Sequence, residues 1–348
     1  MYLSFRWYGD SDPITLKHIR QIPEMVSVVT ALYDIPPGQL WPVDRLVALK
    51  GQIEAAGLSL DVIESLPIHE DIKIGRPNRD ALIDVYCQNI VQLGQLGVSV
   101  ICYNFMPIFD WFRTDLALVL PDGSNVMSYD HNQLAQVADP WAAKWPAYFP
   151  LDEAPESLKE AYRTMSEDEL RENLAYFLKK VIPVAEEAGI NMALHPDDPP
   201  WSIFDLPRIV KNRSDLAFIL NCVDSRANGL TFCTGSLGVN PENNLPAMIR
   251  EFGPRIHFAH CRNVKISGDK QFAESAHPPQ YGDVDLAAVM QAYADIGFSG
   301  PMRPDHGRMI WDEEGIPGYG LYDRALGAVY LLGIWHGLVQ NKITEVKF

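Results

Sequence analysis

Eight times along this chain a short run rich in β-branched and aromatic residues appears, and most of these runs are followed by an amphipathic segment ending in glycine. The runs are YLSFRW (2–7), VSVVTALY (26–33), LSLDVIES (58–65), VSVICYNF (98–105), INMALH (190–195), GLTFCT (229–234), RIHFAH (255–260) and GPMRPD (300–305). Between them lie helical patterns such as VDRLVALKGQIEAAG, RDALIDVYCQNIVQLGQLG and DLAAVMQAYADIG, whose terminal glycines suit a left-handed C-cap. In SEDELRENL, Ser166 stands three residues before Glu169, the spacing of a capping box. Eight alternating units predict an α/β fold, a closed (β/α)8 barrel whose parallel strands are buried on both faces.

Residues 106–165, after the fourth strand, break the rhythm: the stretch is rich in Pro, Trp, Asp and Asn and has no long periodic run. A structureless loop of that length is rare inside a domain, so the segment is expected to hold short helices and to act as a lid or subunit contact. No linker interrupts the rest, and residues 1–348 read as a single barrel domain whose 47% hydrophobic content can fill a large core.

A formal charge of -16 argues against a nucleic-acid surface, which needs clustered Lys and Arg. It also sets a condition: an anionic substrate would need a local positive centre such as a metal or arginines. The start MYLSFRWYGD has no signal-peptide pattern and no stretch approaches a membrane span, which gives a cytoplasmic expectation with no membrane partner. The five widely spaced cysteines suit reduced thiols.

In such a barrel the loops after the strands carry the active site. Applied to the last four runs, that filter selects His195, Cys233, His260 and Asp305. Two imidazoles, a thiolate and a carboxylate form a donor set for Mn²⁺, Fe²⁺, Co²⁺ or Zn²⁺ with positions left for substrate or water. Each also has a plainer reading; Cys233 between Phe232 and Thr234 could be a packed core thiol. His257 competes with His260, which sits nearer the rim. Beside Asp305, His306 is free for proton transfer, or is a solvent-exposed turn residue. Tyr319, flanked by glycines in PGYGLYDRALG, could project into a site, with Tyr322 as the alternate. Asp197 and Asp198 in HPDDPP read as turn residues in preference to groups that orient the imidazoles. Arg262, Asn263, Arg303 and Arg308 flank the site as substrate-binding candidates, at least one guanidinium being able to clamp a carboxylate.

The segments FRWYG, VTALYDIPPG, IESLPIHEDIK, VICYNFMPIFDWFRTD, HPDDPP, FCTGSLG, HFAHCRNV, RPDHGR and PGYGLYDRALG, in that order, closely resemble the mannonate dehydratase family. The resemblance covers the whole chain and implies a xylose-isomerase-like TIM barrel that converts D-mannonate to 2-keto-3-deoxy-D-gluconate in hexuronate catabolism. It implies Mn²⁺ or Fe²⁺ held by His195, Cys233, His260 and Asp305, with His306 and Tyr319 as the acid/base pair. The expected partners are this sugar acid and a second copy of the chain in a homodimer. Removing a proton α to a carboxylate concentrates charge on an enediolate, which a cation must offset, and loss of the C3 hydroxyl needs a proton donor.

Overall fold

The computed structural model describes residues 1–136 and 156–345. Eight parallel strands close into a barrel in chain order: β1 (Tyr2–Arg6), β2 (Met25–Thr30), β3 (Ser59–Glu64), β4 (Val100–Tyr103), β7 (Asn191–Leu194), β8 (Asn228–Cys233), β9 (Ile256–His260) and β12 (Pro301–Arg303), the last pairing back onto β1. All eight predicted runs are barrel strands, seven of them one to four residues shorter than the run, while β8 equals its run in length and begins one residue earlier. Their burial explains their legibility: β4 and β8 are buried at every position, so both faces demand apolar or small residues.

A helix returns the chain after each strand: α1 (Leu16–Arg20), α2 (Val43–Ala55), α4 (Arg79–Gln95), α6 (Glu167–Glu187), α7 (Arg213–Cys222), α9 (Leu245–Phe252), α10 (Leu286–Asp295) and α11 (Tyr322–Glu345). Ser166 and Glu169 form the expected capping box at the start of α6, satisfying backbone N–H groups that the first turn leaves without partners. Short helices α3 (Glu70–Lys73), α5 (Glu156–Thr164) and α8 (Thr234–Gly238) are additions to the rhythm. Inside the barrel Val29, Val62, Val100, Cys102, Ala193 and Phe258 form a small apolar plug, a floor beneath the strand ends. The larger core lies between barrel and helices.

The stretch 106–165 departs from the expectation of short helices alone. It contains an antiparallel pair, β5 (Asp115–Val119) and β6 (Asn125–Asp130), turned at Leu120–Ser124 by a loop that includes Asp122 and Gly123. This pair joins a second hairpin, β10 (Asn263–Gly268) and β11 (Gln271–Ser275), to make a four-stranded sheet of order β10-β11-β6-β5. Part of the proposed lid, 137–155, lies outside the described residues. α5 is anchored by Tyr162, whose hydroxyl meets the buried Glu70 carboxylate of α3.

Candidate active site

The parallel register sets the site. Cys233 is in register with His260 and His260 with Arg303, so the last residues of β8, β9 and β12 stand side by side. Neighbouring strands lie roughly 4.8 Å apart, within reach of a common centre. His195 follows β7, and its N–H continues the ladder to the Tyr103 carbonyl at 2.7 Å. Asp305 follows β12 with φ 58°, a left-handed backbone unusual for a non-glycine residue and typical of functional turns. The side chains of Asp305 and His306 stay close, with His306 Nε2 3.9 Å from Asp305 Oδ1.

His195, Cys233 and His260 offer donor atoms that all lie within 4.8 Å of one another. His195 Nε2 is 3.2 Å from His260 Nδ1, Cys233 Sγ is 3.4 Å from Asp305 Oδ2, and His260 Nδ1 is 3.6 Å from Asp305 Oδ1. A cation bound at ~2.0–2.3 Å holds adjacent donors roughly 3–4 Å apart, so the spacing fits a first-row divalent metal. The Nδ1 of His195 faces the Pro196 carbonyl at 2.7 Å. Donating there leaves its Nε2 lone pair directed at the other donors. Cys233 accepts from the Ser236 N–H at 3.4 Å and the Ser236 hydroxyl at 3.2 Å. His257, by contrast, faces outward and meets the Arg226 carbonyl at 2.7 Å.

Next to this cluster His306 Nε2 is 2.7 Å from the Tyr319 hydroxyl, and His306 Nδ1 is 3.2 Å from Glu274 Oε1 on β11. Both side chains are buried; burial pushes His306 below its ordinary value against the pull of Asp305, and pushes Tyr319 up to about 12 against Arg303 and Arg6. Tyr319 therefore holds its proton, and burial favours the uncharged imidazole of His306. Tyr322 begins α11 as an exposed residue whose ring lies tilted against Trp311 at 5.5 Å, away from the cavity wall.

His195, Asp305, His306 and Tyr319 line a cavity of about 360 Å³ at the mouth of the barrel, and Cys233 and His260 lie outside its lining. Of the substrate-binding candidates, Arg303 is in its wall, donating to His260 at 2.9 Å and pairing with Glu64 at 3.0 Å and Asp305 at 2.8 Å. Arg262 lies behind the wall, holding Asp305 at 2.7 Å and Asp198 at 2.6 Å. Asn263 and Arg308 are outside it. Asn263 accepts the Val264 and Val284 N–H groups, and Arg308 pairs with Asp323 and Asp122. Asp198 is not a turn residue but a buried ion-pair partner of Arg113 and Arg262; Asp197 does accept backbone N–H groups, from Ile209 and Val210.

Sequence reasoning missed Arg6, Glu64, Arg113 and Glu274. Arg6 and Glu64 end β1 and β3, line the cavity and pair at 2.8 Å. Burial would raise the Glu64 carboxyl, but Arg303 and Arg6 outweigh it and hold it well below the usual range. The strand-end filter would have found both had it been applied to all eight strands. Arg113 and Glu274 come from the outer sheet and the segment leading into it, which no local signal links to the site.

A closed (β/α)8 barrel with a buried polar cavity at the carboxyl ends of its strands defines a TIM-barrel enzyme of the xylose-isomerase-like kind. D-psicose 3-epimerase from Clostridium cellulolyticum H10 shares that fold alone, with a TM-score of 0.58 at 13% identity, covering 97% of this chain and 99% of that one. Residues 1–345 match the D-mannonate dehydratase (UxuA) family. The mannonate dehydratase of Thermotoga petrophila is 52% identical over 358 aligned residues, covering 98% of this chain and 99% of the relative. The crystal structure of mannonate dehydratase from Streptococcus suis serotype 2 has a TM-score of 0.90 at 46% identity, covering 98% and 94%. The chain belongs to the D-mannonate dehydratase family and is a hydro-lyase.

Proposed function

We propose that the chain dehydrates D-mannonate to 2-keto-3-deoxy-D-gluconate in hexuronate catabolism, in the cytoplasm and as a homodimer, with one Mn²⁺ or Fe²⁺ held by His195, Cys233, His260 and Asp305. The observation carrying this reading is the cluster of His195, Cys233 and His260, whose donor atoms lie within 4.8 Å of one another, with the Asp305 carboxylate 3.4 Å from Cys233 and 3.6 Å from His260, beside the His306–Tyr319 pair. When bound, the cation offsets the negative charge that develops as C2 loses its proton, worth several kcal/mol.

His306 is the proton acceptor at C2, because burial favours its uncharged imidazole and its Nε2 lies beside the Tyr319 hydroxyl at the cavity wall, 2.7 Å away. Tyr319, which keeps its proton, donates it to the C3 hydroxyl, so the C2–H and C3–O bonds break and water leaves. The resulting enol then gains a proton at C3 and loses one from its hydroxyl, giving the 2-keto acid. Arg303 shares the cationic charge of the wall with Arg6 and orients His260, Asp305 and Glu64.

Incubating the Mn²⁺-loaded protein with D-mannonate and assaying with periodate–thiobarbiturate should give the colour of a 3-deoxy-2-keto acid. An aldonate epimer without that colour would refute dehydration. His306→Asn should keep its metal yet lose most turnover.

A further inference from the structure

Beyond the pair itself, one carboxylate contacts the far side of His306. We infer that Glu274 is the positioning residue of the proton-transfer pair, accepting the Nδ1–H of His306 and so turning the Nε2 lone pair toward Tyr319 and the cavity. This rests on the reading of His306 as a proton-transfer group.

His306 is 4% exposed, so its two nitrogens are served by protein groups. Glu274 Oε1 stands 3.2 Å from Nδ1, and the Tyr319 hydroxyl stands 2.7 Å from Nε2. A neutral imidazole carries one ring proton, and an ionised carboxylate can only accept. The Glu274 contact therefore fixes the proton on Nδ1, leaving Nε2 to receive one. The same oxygen of Glu274 also takes Arg113 Nη2 at 2.7 Å and Arg262 Nη1, which keep the group ionised.

The fold supplies Glu274 from an unexpected place. On β11, Phe272 and Glu274 share the buried face while Gln271 and Ala273 alternate outward. β11 is held between β10 and β6, with Phe272 in register with Tyr129 and Ala273 with Ser128. The insertion after the fourth barrel strand thus braces the strand that carries the carboxylate. Arg113, just before β5, ties the same assembly to Asp198 beyond β7.

The test is ¹⁵N NMR of the histidine rings in the uniformly labelled, metal-free protein, with His306 assigned by its loss in His306→Asn. The expected state is Nδ1–H with a bare Nε2. Glu274→Leu removes the acceptor that faces Nδ1, so the proton is no longer held there and the Nε2–H form should appear. With Mn²⁺ loaded, kcat on D-mannonate should fall about 10- to 100-fold, with KM within about threefold and metal content unchanged. Glu274→Gln, whose oxygen stays on the two arginines and Nδ1, and Glu274→Asp should keep the Nδ1–H tautomer and part of kcat. An Nε2–H tautomer in the wild type, or a Glu274→Leu protein with wild-type tautomer and kcat, overturns the assignment. If Glu274→Leu does not fold, the wild-type tautomer and Glu274→Asp decide. Wild-type turnover in His306→Asn would instead sink the reading of His306, while the tautomer would still judge Glu274.

Discussion

Replacing Arg113 with Met tests whether the outer sheet is stapled to the barrel by charge. The guanidinium is fully buried; it donates to Asp198 at 2.8 and 3.0 Å, to Glu274 at 2.7 Å and to the Phe112 carbonyl at 2.9 Å. Met fills the volume of the aliphatic stem, so the cavity contribution is small. What is lost is the cation, leaving Asp198 and Glu274 to share Arg262. Removing one partner from a buried ion pair costs about 3–5 kcal/mol, about a fifth or more of a total stability of roughly 5–15 kcal/mol. At a urea slope of about 2–3 kcal/mol/M the midpoint should fall by about 1–2 M at pH 7. Burial opposes ionisation of both carboxylates, but Arg113 and Arg262 outweigh it, holding Asp198 low and Glu274 at about 2. Groups depressed in the folded state contribute stability above their unfolded pKa and lose it as pH falls through the folded value. The deficit of the variant should therefore be full at pH 7 and shrink below about pH 4. A midpoint shift equivalent to under about 1 kcal/mol at pH 7, or a deficit independent of pH, would refute the reasoning.

Cys233→Ser should lose most of its bound Mn²⁺ or Fe²⁺ by elemental analysis while remaining folded, since it removes the soft donor; unchanged metal content would contradict its role as ligand. In Gly235→Ala the new Cβ would stand 2.3 Å from Arg262 Nε and 2.4 Å from its Cζ. That overpacking should cost about 1–3 kcal/mol and pull Arg262 off Asp305, lowering turnover; a variant with the wild-type melting temperature and rate would show that the guanidinium adapts freely. Burial depresses His257 to about 4, outweighing its bond to the Arg226 carbonyl. Its unfolded value is about 6.5, so the native state loses stability as pH falls from there to about 4, by at most about 3 kcal/mol. His257→Gln should flatten that slope in thermal melts, and identical slopes in the two proteins would exclude His257 as its source.

How much of this was legible in the sequence follows from where each signal originates. The barrel strands announced themselves because Val28, Ile101 and Phe232 are buried in continuous apolar runs, a property a window of a few residues records. The outer sheet did not. β5 is largely exposed and its sheet is completed by β11, more than a hundred residues away, so no local run carries the pairing. Weak signals existed: Pro121-Asp122-Gly123 between 115–119 and 125–130, and Gly268-Asp269-Lys270 between two alternating segments, are hairpin turns in their composition. The proposed metal donors were accessible because strand ends are fixed by topology. Glu274 and Arg113 were not, because the geometry that makes them relevant exists only once the outer sheet has formed.

The electrostatics of the site join these levels. Arg6, Arg113, Arg262 and Arg303 are buried at or just behind the cavity wall, and each is matched by a carboxylate among Glu64, Asp198, Glu274 and Asp305. Four cations against four anions leave no surplus positive charge; Arg324, buried behind Tyr319 on backbone carbonyls, adds one cation, Asp110 in the lining adds one anion, and Asp34 is paired with Arg45. The arginines therefore fix the carboxylates in position and keep them ionised, and do not by themselves draw an anionic sugar acid into a chain of net charge -16. The surplus has to come from the divalent cation of the proposed centre. Its removal should thus weaken D-mannonate binding as well as abolish turnover, which calorimetry on chelated protein can separate from a purely chemical role for the metal.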